Sequence, residues 1–417
     1  MVNQQNTVVQ SKRTCIGSLG SIGPLGSYID GFVTLLLHEG YKPRSVRKKY
    51  DLVTDLSRWM ERCKLPLTRL DEEQLTQFRI NRQRRCRLRS ADMWTVGQLI
   101  RYLRDLGCIP VRLKKIDRTS LGQLTRDFES YLSVERGLSQ STVHDYPQIA
   151  RRFLNDRFGN KPVRVKSLRP QDFHRFIVRH LEAGSSGQAK RVVNALRSFL
   201  RFLRQRNKIT IDLAAGVPGV AYWRFSHLPR SLPPNQVRQL LASCDRTTPS
   251  GQRDYAILLL MARLGLRAGE VVRMTLDDLD WTCGEIVVTG KDQRQDRLPL
   301  PRDVGAALVS YLHNARPECA TRQVFIRIKP PHRGLKAGGA IRRVMRSALE
   351  RAELNPEFKG SHLLRHSLAT NLQRRGATLA EIGQLLRHND LTTTQIYAKV
   401  DIAALRTVAL PWPRGAL

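Results

Sequence analysis

The sequence predicts a mainly α-helical protein, with helical domains first and then an α-rich, mixed α/β C-terminal domain that carries a small antiparallel sheet. Three observations support this. Apolar residues recur at three- and four-residue spacing along much of the chain, which places them on one face of a helix. The stretch from Tyr28 to about residue 210 repeats itself at an offset of 97 to 100 residues. Glu285 to Thr289 and Asp296 to Leu300 read as two short strands around a turn, the first rich in β-branched residues. At 417 residues the chain is also too long for one compact core.

Residues 1–27 are polar and then Gly/Ser-rich, too poor in apolar surface to pack, and are expected to form a mobile tail. The repeat then defines two small helical domains, 28–115 and 119–210. Gly40 matches Gly137, Ser45 Thr142, Val46 Val143, Leu52 Ile149, Leu70 Leu168, Leu75 Phe173 and Phe78 Phe176. The third block is the clearest: Val96, Leu99, Ile100, Arg101, Leu103 and Arg104 align with Leu196, Phe199, Leu200, Arg201, Leu203 and Arg204. Two unrelated helical bundles are the alternative to duplication.

The last helix of the second copy, about residues 188–206, carries two stripes. Val193, Leu196, Leu200 and Leu203 form a core face, while Lys190, Arg197, Arg201 and Arg204 line another, continued by Lys208. No acidic residue interrupts the second stripe, which favours a phosphate-facing surface over a merely solvated one. The run Arg82, Arg84, Arg85, Arg87 and Arg89 is less informative, because such blocks are often loops. A Pro/Gly-rich stretch over 211–234 reads as a linker. In the third domain, 235–417, Asn235 to Cys244 and Gln252 to Leu264 have helical patterns, and Pro299 makes the second strand an edge strand.

Composition narrows the partners. The 71 Lys and Arg against 36 Asp and Glu leave a formal charge of +35, self-repelling unless a polyanion offsets it, and nucleic acid is the first candidate. The longest apolar run, Tyr255 to Ala262, is far below the roughly 20 residues of a membrane span. The N-terminus has no basic segment followed by an apolar one, so a cytoplasmic location is expected. Seven scattered cysteines without a CxxC pair argue for reduced thiols and against a zinc or disulfide framework. His38, His144, His174, His180, His227, His313 and His332 have no metal-ligand spacing either. No metal or other cofactor is expected.

Four segments of the last domain carry a more specific signal: ARLGLRAGEV (262–271), GKDQRQDRLPL (290–300), HLLRHSLAT (362–370) and LLRHNDLTTTQIYAKV (385–400). In identity, order and spacing they resemble the signature of the tyrosine site-specific recombinases of the phage integrase family. The resemblance covers about residues 119–417, so the extra helical copy lies outside the minimal family pattern. It implies helical DNA-binding domains ahead of a catalytic domain, and it implies roles. Arg267 and Arg365 are the catalytic arginines, Glu270 supports the site, and Lys291 is the lysine of a β-hairpin. His362 and His388 are the histidines and Tyr397 the nucleophile. Arg387 departs from the pattern, since the family usually has Gly before the second histidine, which bears on the local loop conformation.

The same chemistry follows from the residue types. Attack on a phosphodiester builds negative charge on non-bridging oxygens, which a site without metal ligands must meet with fixed cations. Two guanidiniums do this with paired N–H donors and stay charged. A tyrosine with an ordinary pKa near 10 must lose its proton as it attacks, and a histidine is the natural acceptor. By resemblance His362 is that base, His388 bonds the phosphate, and Lys291 protonates the leaving 5′ oxygen. The resulting 3′-phosphotyrosyl linkage conserves the bond energy, so a second 5′-hydroxyl can reverse the attack without ATP. His366 reads as a structural hydrogen bonder.

The expected partner is double-stranded DNA, with no membrane involved, and the family implies a homo-tetramer on two DNA sites. A bacterial, nucleoid-associated enzyme serving a mobile element or phage fits this reading. Two alternatives remain: a type IB topoisomerase-like enzyme, and a catalytically silent or regulatory DNA-binding member of a recombination complex. Against the first stands an apolar edge, Ile402, Leu405 and Val408, just after the nucleophile. In the family such a tail typically docks on a neighbouring protomer.

Overall fold

The computed structural model describes residues 23–85, 90–110, 117–159, 161–182, 186–219, 230–290, 294–336, 338–388, 390 and 393–400. Most of the expected N-terminal tail lies outside these residues, as do Arg87, Arg89, Lys291, Ile402, Leu405, Val408 and the middle of the expected linker. The chain divides into two compact units. Residues up to 111 and those from 227 onward form one, and residues 112–226 form the other.

In the first unit, α1 (Gly26–His38), α2 (Pro43–Arg62), α3 (Glu72–Gln83) and α4 (Ser90–Asp105) enclose a core of their own. Helix α2 buries Val46, Tyr50, Val53, Leu56 and Met60, which recur at three- and four-residue spacing and so share one face. It starts at Pro43, where the fixed φ of proline suits the first helical position. The Asp71 side chain caps α3 by accepting from the Gln74 amide.

The second unit holds α5 (Ser120–Ser130, running into a π-helical turn, Tyr131–Glu135), α6 (Gln140–Phe158), α7 (Pro170–Glu182) and α8 (Ser186–Gln205). The succession α2, a 3₁₀ turn at Leu67–Arg69, α3, α4 recurs as α6, a 3₁₀ turn at Val165–Ser167, α7, α8. The residue matches recur with it. Val96, Leu99, Ile100 and Leu103 are buried in one core, and Leu196, Phe199, Leu200 and Leu203 in the other. Gly107 and Asn207 take the same left-handed conformation after α4 and α8. The expected linker differs at its start. Leu213, Ala214 and Val217 pack into this core, and two arginines of α8 hold the segment, Arg197 through the Val217 carbonyl and Arg204 through the Asp212 side chain.

The C-terminal part of the first unit builds on α10 (Pro249–Leu264), which follows α9 (Pro234–Ala242). Ala256 to Met261 are all buried, so α10 is surrounded on every side rather than amphipathic. A short helix, α11 (Ala268–Arg273), leads to a sheet of three antiparallel strands in the order β1 (Leu279–Asp280), β2 (Glu285–Thr289), β3 (Gln295–Pro299). Ile286 pairs with Leu298, and Ile286 and Val288 face the core. Strand β3 is at the edge, as Pro299 requires; the two-residue β1 was not expected. The fold closes with α12 (Arg302–Asn314), α13 (Gly338–Arg351), α14 (Leu363–Arg374), α15 (Leu379–Leu385) and a 3₁₀ segment, Gln395–Val400. Among the described residues no helix is long and apolar enough to cross a membrane, and no group of three or more His, Cys, Asp or Glu is placed to hold a metal.

Candidate active site

The site forms where three chain segments meet. The first is the turn from α10 to α11. Gly265 ends α10 at φ +61°, and a Cβ there would lie 2.6 Å from the Leu386 side chain, so both conformation and space call for glycine. Its carbonyl oxygen then accepts from Arg365. Arg267 precedes α11, and Glu270 lies in the first turn of that helix, where a carboxylate meets unpaired amides. Glu270 Oε2 accepts from the Arg267 amide at 2.8 Å, and Oε1 from Arg267 Nη1 at 2.8 Å.

Glu270 is 4% exposed. Burial opposes its charge, but the Arg267 amide, the Arg387 charge and the Arg267 guanidinium outweigh burial and hold its pKa below the usual carboxylate value. The second segment, α14, carries Arg365, 3% exposed, whose guanidinium donates to the carbonyl oxygens of Gly265 and Leu386. Burial, with the nearby charges of Arg267 and Arg387, lowers its pKa to about 9. His362 sits just before α14, exposed at the rim of the site. One turn further, His366 lies with its ring centroid 6.2 Å from that of His362.

The third segment runs from α15 to the 3₁₀ turn. Arg387 adopts φ +54°, and its Nη2 donates to Glu270 Oε2 at 2.9 Å. His388 Nδ1 lies 2.7 Å from Thr394 Oγ1, which ties the loop to the turn that bears Tyr397. Tyr397 is 1% exposed, packed in a small core with Ala369, Ile382 and Leu386, and its hydroxyl is 2.8 Å from His366 Nδ1. Burial raises its pKa to about 12, against the pull of the Arg365 charge. His366 and His388 are both lowered to about 4, first by burial and then by neighbouring histidine and arginine charges, so both are neutral.

Hydrogen bonds therefore link Arg267 and Arg365 with the Leu386–Arg387 backbone, Glu270 with the Arg387 side chain, and His388 with the Tyr397 turn. Lys291 lies outside the described residues. The strands on either side of it are fixed, with the Gly290 amide donating to the Arg294 carbonyl and Arg273 donating to Thr289 and Gly290. The sequence reading passed over the guanidinium of Arg387 as a member of this cluster. The only signal was an arginine where the motif pattern has glycine. Lys190, Arg197, Arg201 and Arg204 belong to α8 in the other unit. Arg197 donates to the Val217 carbonyl, Arg204 pairs with Asp212, and Arg201 is exposed.

Residues 230–403 match the phage integrase family, and residues 126–207 match the phage integrase N-terminal SAM-like domain. The chain is 40% identical over 396 residues to "Putative integrase/recombinase y4rA" of Sinorhizobium fredii, an alignment that covers 94% of this chain and 96% of that one. It is 32% identical over 295 residues to the tyrosine recombinase XerD of Listeria monocytogenes, covering 69% of this chain and 97% of the relative. Among solved structures, the XerH site-specific recombinase bound to its difH substrate shares the fold, with a TM-score of 0.56 at 18% identity over 72% of this chain and 98% of that one. A fold of helical domains joined to an α-rich domain with a three-stranded sheet, ending in an Arg–His–Tyr site, is that of a DNA strand-cleaving and rejoining enzyme. The chain belongs to the phage integrase family of tyrosine recombinases.

Proposed function

We propose that this recombinase transfers a DNA strand to Tyr397, with Arg267 and Arg365 binding the non-bridging oxygens of the attacked phosphate. The observation that carries the assignment is the clustering of guanidiniums beside the tyrosine, where the buried carboxylate of Glu270 pairs with both Arg267 and Arg387 and Arg365 lies close by. Glu270 orients Arg267, His388 bonds the phosphate, His362 at the rim takes the phenolic proton, and Lys291 protonates the leaving 5′ oxygen. The buried Tyr397 hydroxyl, held by His366, reaches a phosphate only if the turn Gln395–Val400 shifts when DNA binds.

The enzyme acts as a homo-tetramer on two DNA sites, in the bacterial cytoplasm at the nucleoid, and serves a mobile element or phage. In support of action on DNA for a mobile element or phage, a similar solved structure is a lambda integrase dimer bound to a core site, and another is a Tn1549 transposon integrase with circular intermediate DNA. Lys190, Arg197, Arg201 and Arg204 contribute to the grip on the duplex.

Covalent trapping on a nicked suicide duplex tests the proposal. Arg267→Ala and Arg365→Ala should each slow adduct formation by about two to three orders of magnitude, the usual effect of removing a preorganised donor. Rates within about threefold of the wild type would refute the assignment of the phosphate site. Strand exchange between two duplexes, rather than relaxation of a plasmid alone, separates a recombinase from a topoisomerase-like enzyme.

A further inference from the structure

Arg387 is held by its side chain in a backbone conformation that an arginine seldom adopts. Its φ of +54° is sparsely populated by residues with a Cβ, and glycine or asparagine would fill it with less strain. Its side chain is 6% exposed, so the guanidinium points into the protein, where it meets Glu270, 2% exposed by side chain. Arg267, on the other side of the same carboxylate, is 38% exposed and faces outward. Strain in a non-glycine residue persists where something else over-determines it, and such positions cluster at functional sites.

Were Glu270 paired with Arg267 alone, the two would form a neutral pair, and a phosphate would feel little of the Arg267 charge. With Arg387 on its inner side, Glu270 can still fix the Arg267 amide and Nη1 while its charge is balanced from within. Resting on the phosphate site assigned above, we propose that Arg387 is a positioning residue: it neutralises Glu270 from the protein side, so that Glu270 orients Arg267 without cancelling the charge that Arg267 presents to the phosphate. The Arg387 carbonyl adds a second constraint, accepting from Arg267 Nη2 at 3.5 Å.

The test measures three quantities for each full-length variant: single-turnover adduct rate on a suicide duplex, affinity for an uncleavable duplex, and thermal midpoint. Arg387→Gly relieves the backbone strain but removes the guanidinium. It should fold, bind DNA within about threefold of the wild type, and form adduct about tenfold more slowly, a smaller loss than for a donor that touches the phosphate. Arg387→Lys restores the charge and should recover most of the rate. Adding Glu270→Gln to Arg387→Gly should raise the rate above that of Arg387→Gly alone, because the unbalanced carboxylate is gone. A wild-type rate in Arg387→Gly, or a double variant slower than the single one, overturns the proposal. So do parallel losses of rate, affinity and midpoint, which mark a purely structural role. If Arg387→Gly does not fold, Arg387→Lys decides: a rate within threefold supports the proposal and a tenfold loss overturns it. No adduct from the wild type overturns the phosphate-site reading as well.

Discussion

Arg365 and Tyr397 are buried side by side in chemical terms that oppose each other. Arg365 keeps its charge because two carbonyl oxygens accept from it, while Tyr397 keeps its proton because burial makes the phenolate costly. The histidines give the residue scale a pH test. In the fold His366 and His388 titrate at about 4, against an unfolded value near 6.5. Between these values the unfolded chain binds protons that the folded chain does not, so stability is complete above about pH 6.5 and falls as pH drops toward 4. Each histidine should cost about 1–2 kcal/mol at pH 5. Urea unfolding at pH 7.5 and pH 5 should show this loss, and it should shrink in His388→Gln; an unchanged midpoint would contradict the buried, neutral assignment. Arg267, Glu270, His362, Arg365, His388 and Tyr397 were singled out in the sequence by three short motifs, and the fold brings those motifs together. The Tyr397–His366 bond and the inward turn of Arg387 were not. They depend on a backbone conformation and on packing between segments that no local pattern encodes.

At the scale of elements, α8 shows how periodicity was right about a face and incomplete about its use. The stripe exists, but Arg204 pairs with Asp212 and Arg197 donates to the Val217 carbonyl, contacts made by a segment that composition marked as linker. Arg201 is exposed, and we propose it as the member of the stripe that meets DNA. Arg201→Gln should flatten the slope of log affinity against log salt by about 0.9, with little change in stability. Arg204→Gln should lower the thermal midpoint more than it changes the slope. Equal slopes in wild type and Arg201→Gln would exclude this face from the interface. The boundaries of α9 and α10 also moved, to Pro234 and Pro249, because proline at the first helical position starts a helix that apolar periodicity alone begins later.

For the whole molecule, the +35 charge pointed to a polyanion, and the family membership bears that out. What sequence could not reveal is that the first helical bundle shares a compact unit with the C-terminal part. Arg333 pairs with Glu39, and the His332 amide donates to the Glu39 carbonyl, across almost the whole chain. At Gly40, φ +87°, a Cβ would meet the His332 ring. Contacts this distant in sequence leave no local trace. A chain beginning at Arg118 should thus show a lower thermal midpoint as well as a shorter DNA footprint. An unchanged footprint would assign the extra bundle to protein contacts instead.

That the phenolic oxygen of Tyr397 is the nucleophile of a strand-transfer site is tested most directly by Tyr397→Phe on a suicide duplex, with the wild-type adduct digested and mapped. The substitution removes only the phenolic oxygen and its bond to His366, and leaves the ring packed against Ala369, Ile382 and Leu386. Folding and DNA affinity should persist, the SDS-resistant adduct should vanish, and the wild-type adduct should map to Tyr397. An adduct formed by Tyr397→Phe, or one mapped to another residue, would contradict the account.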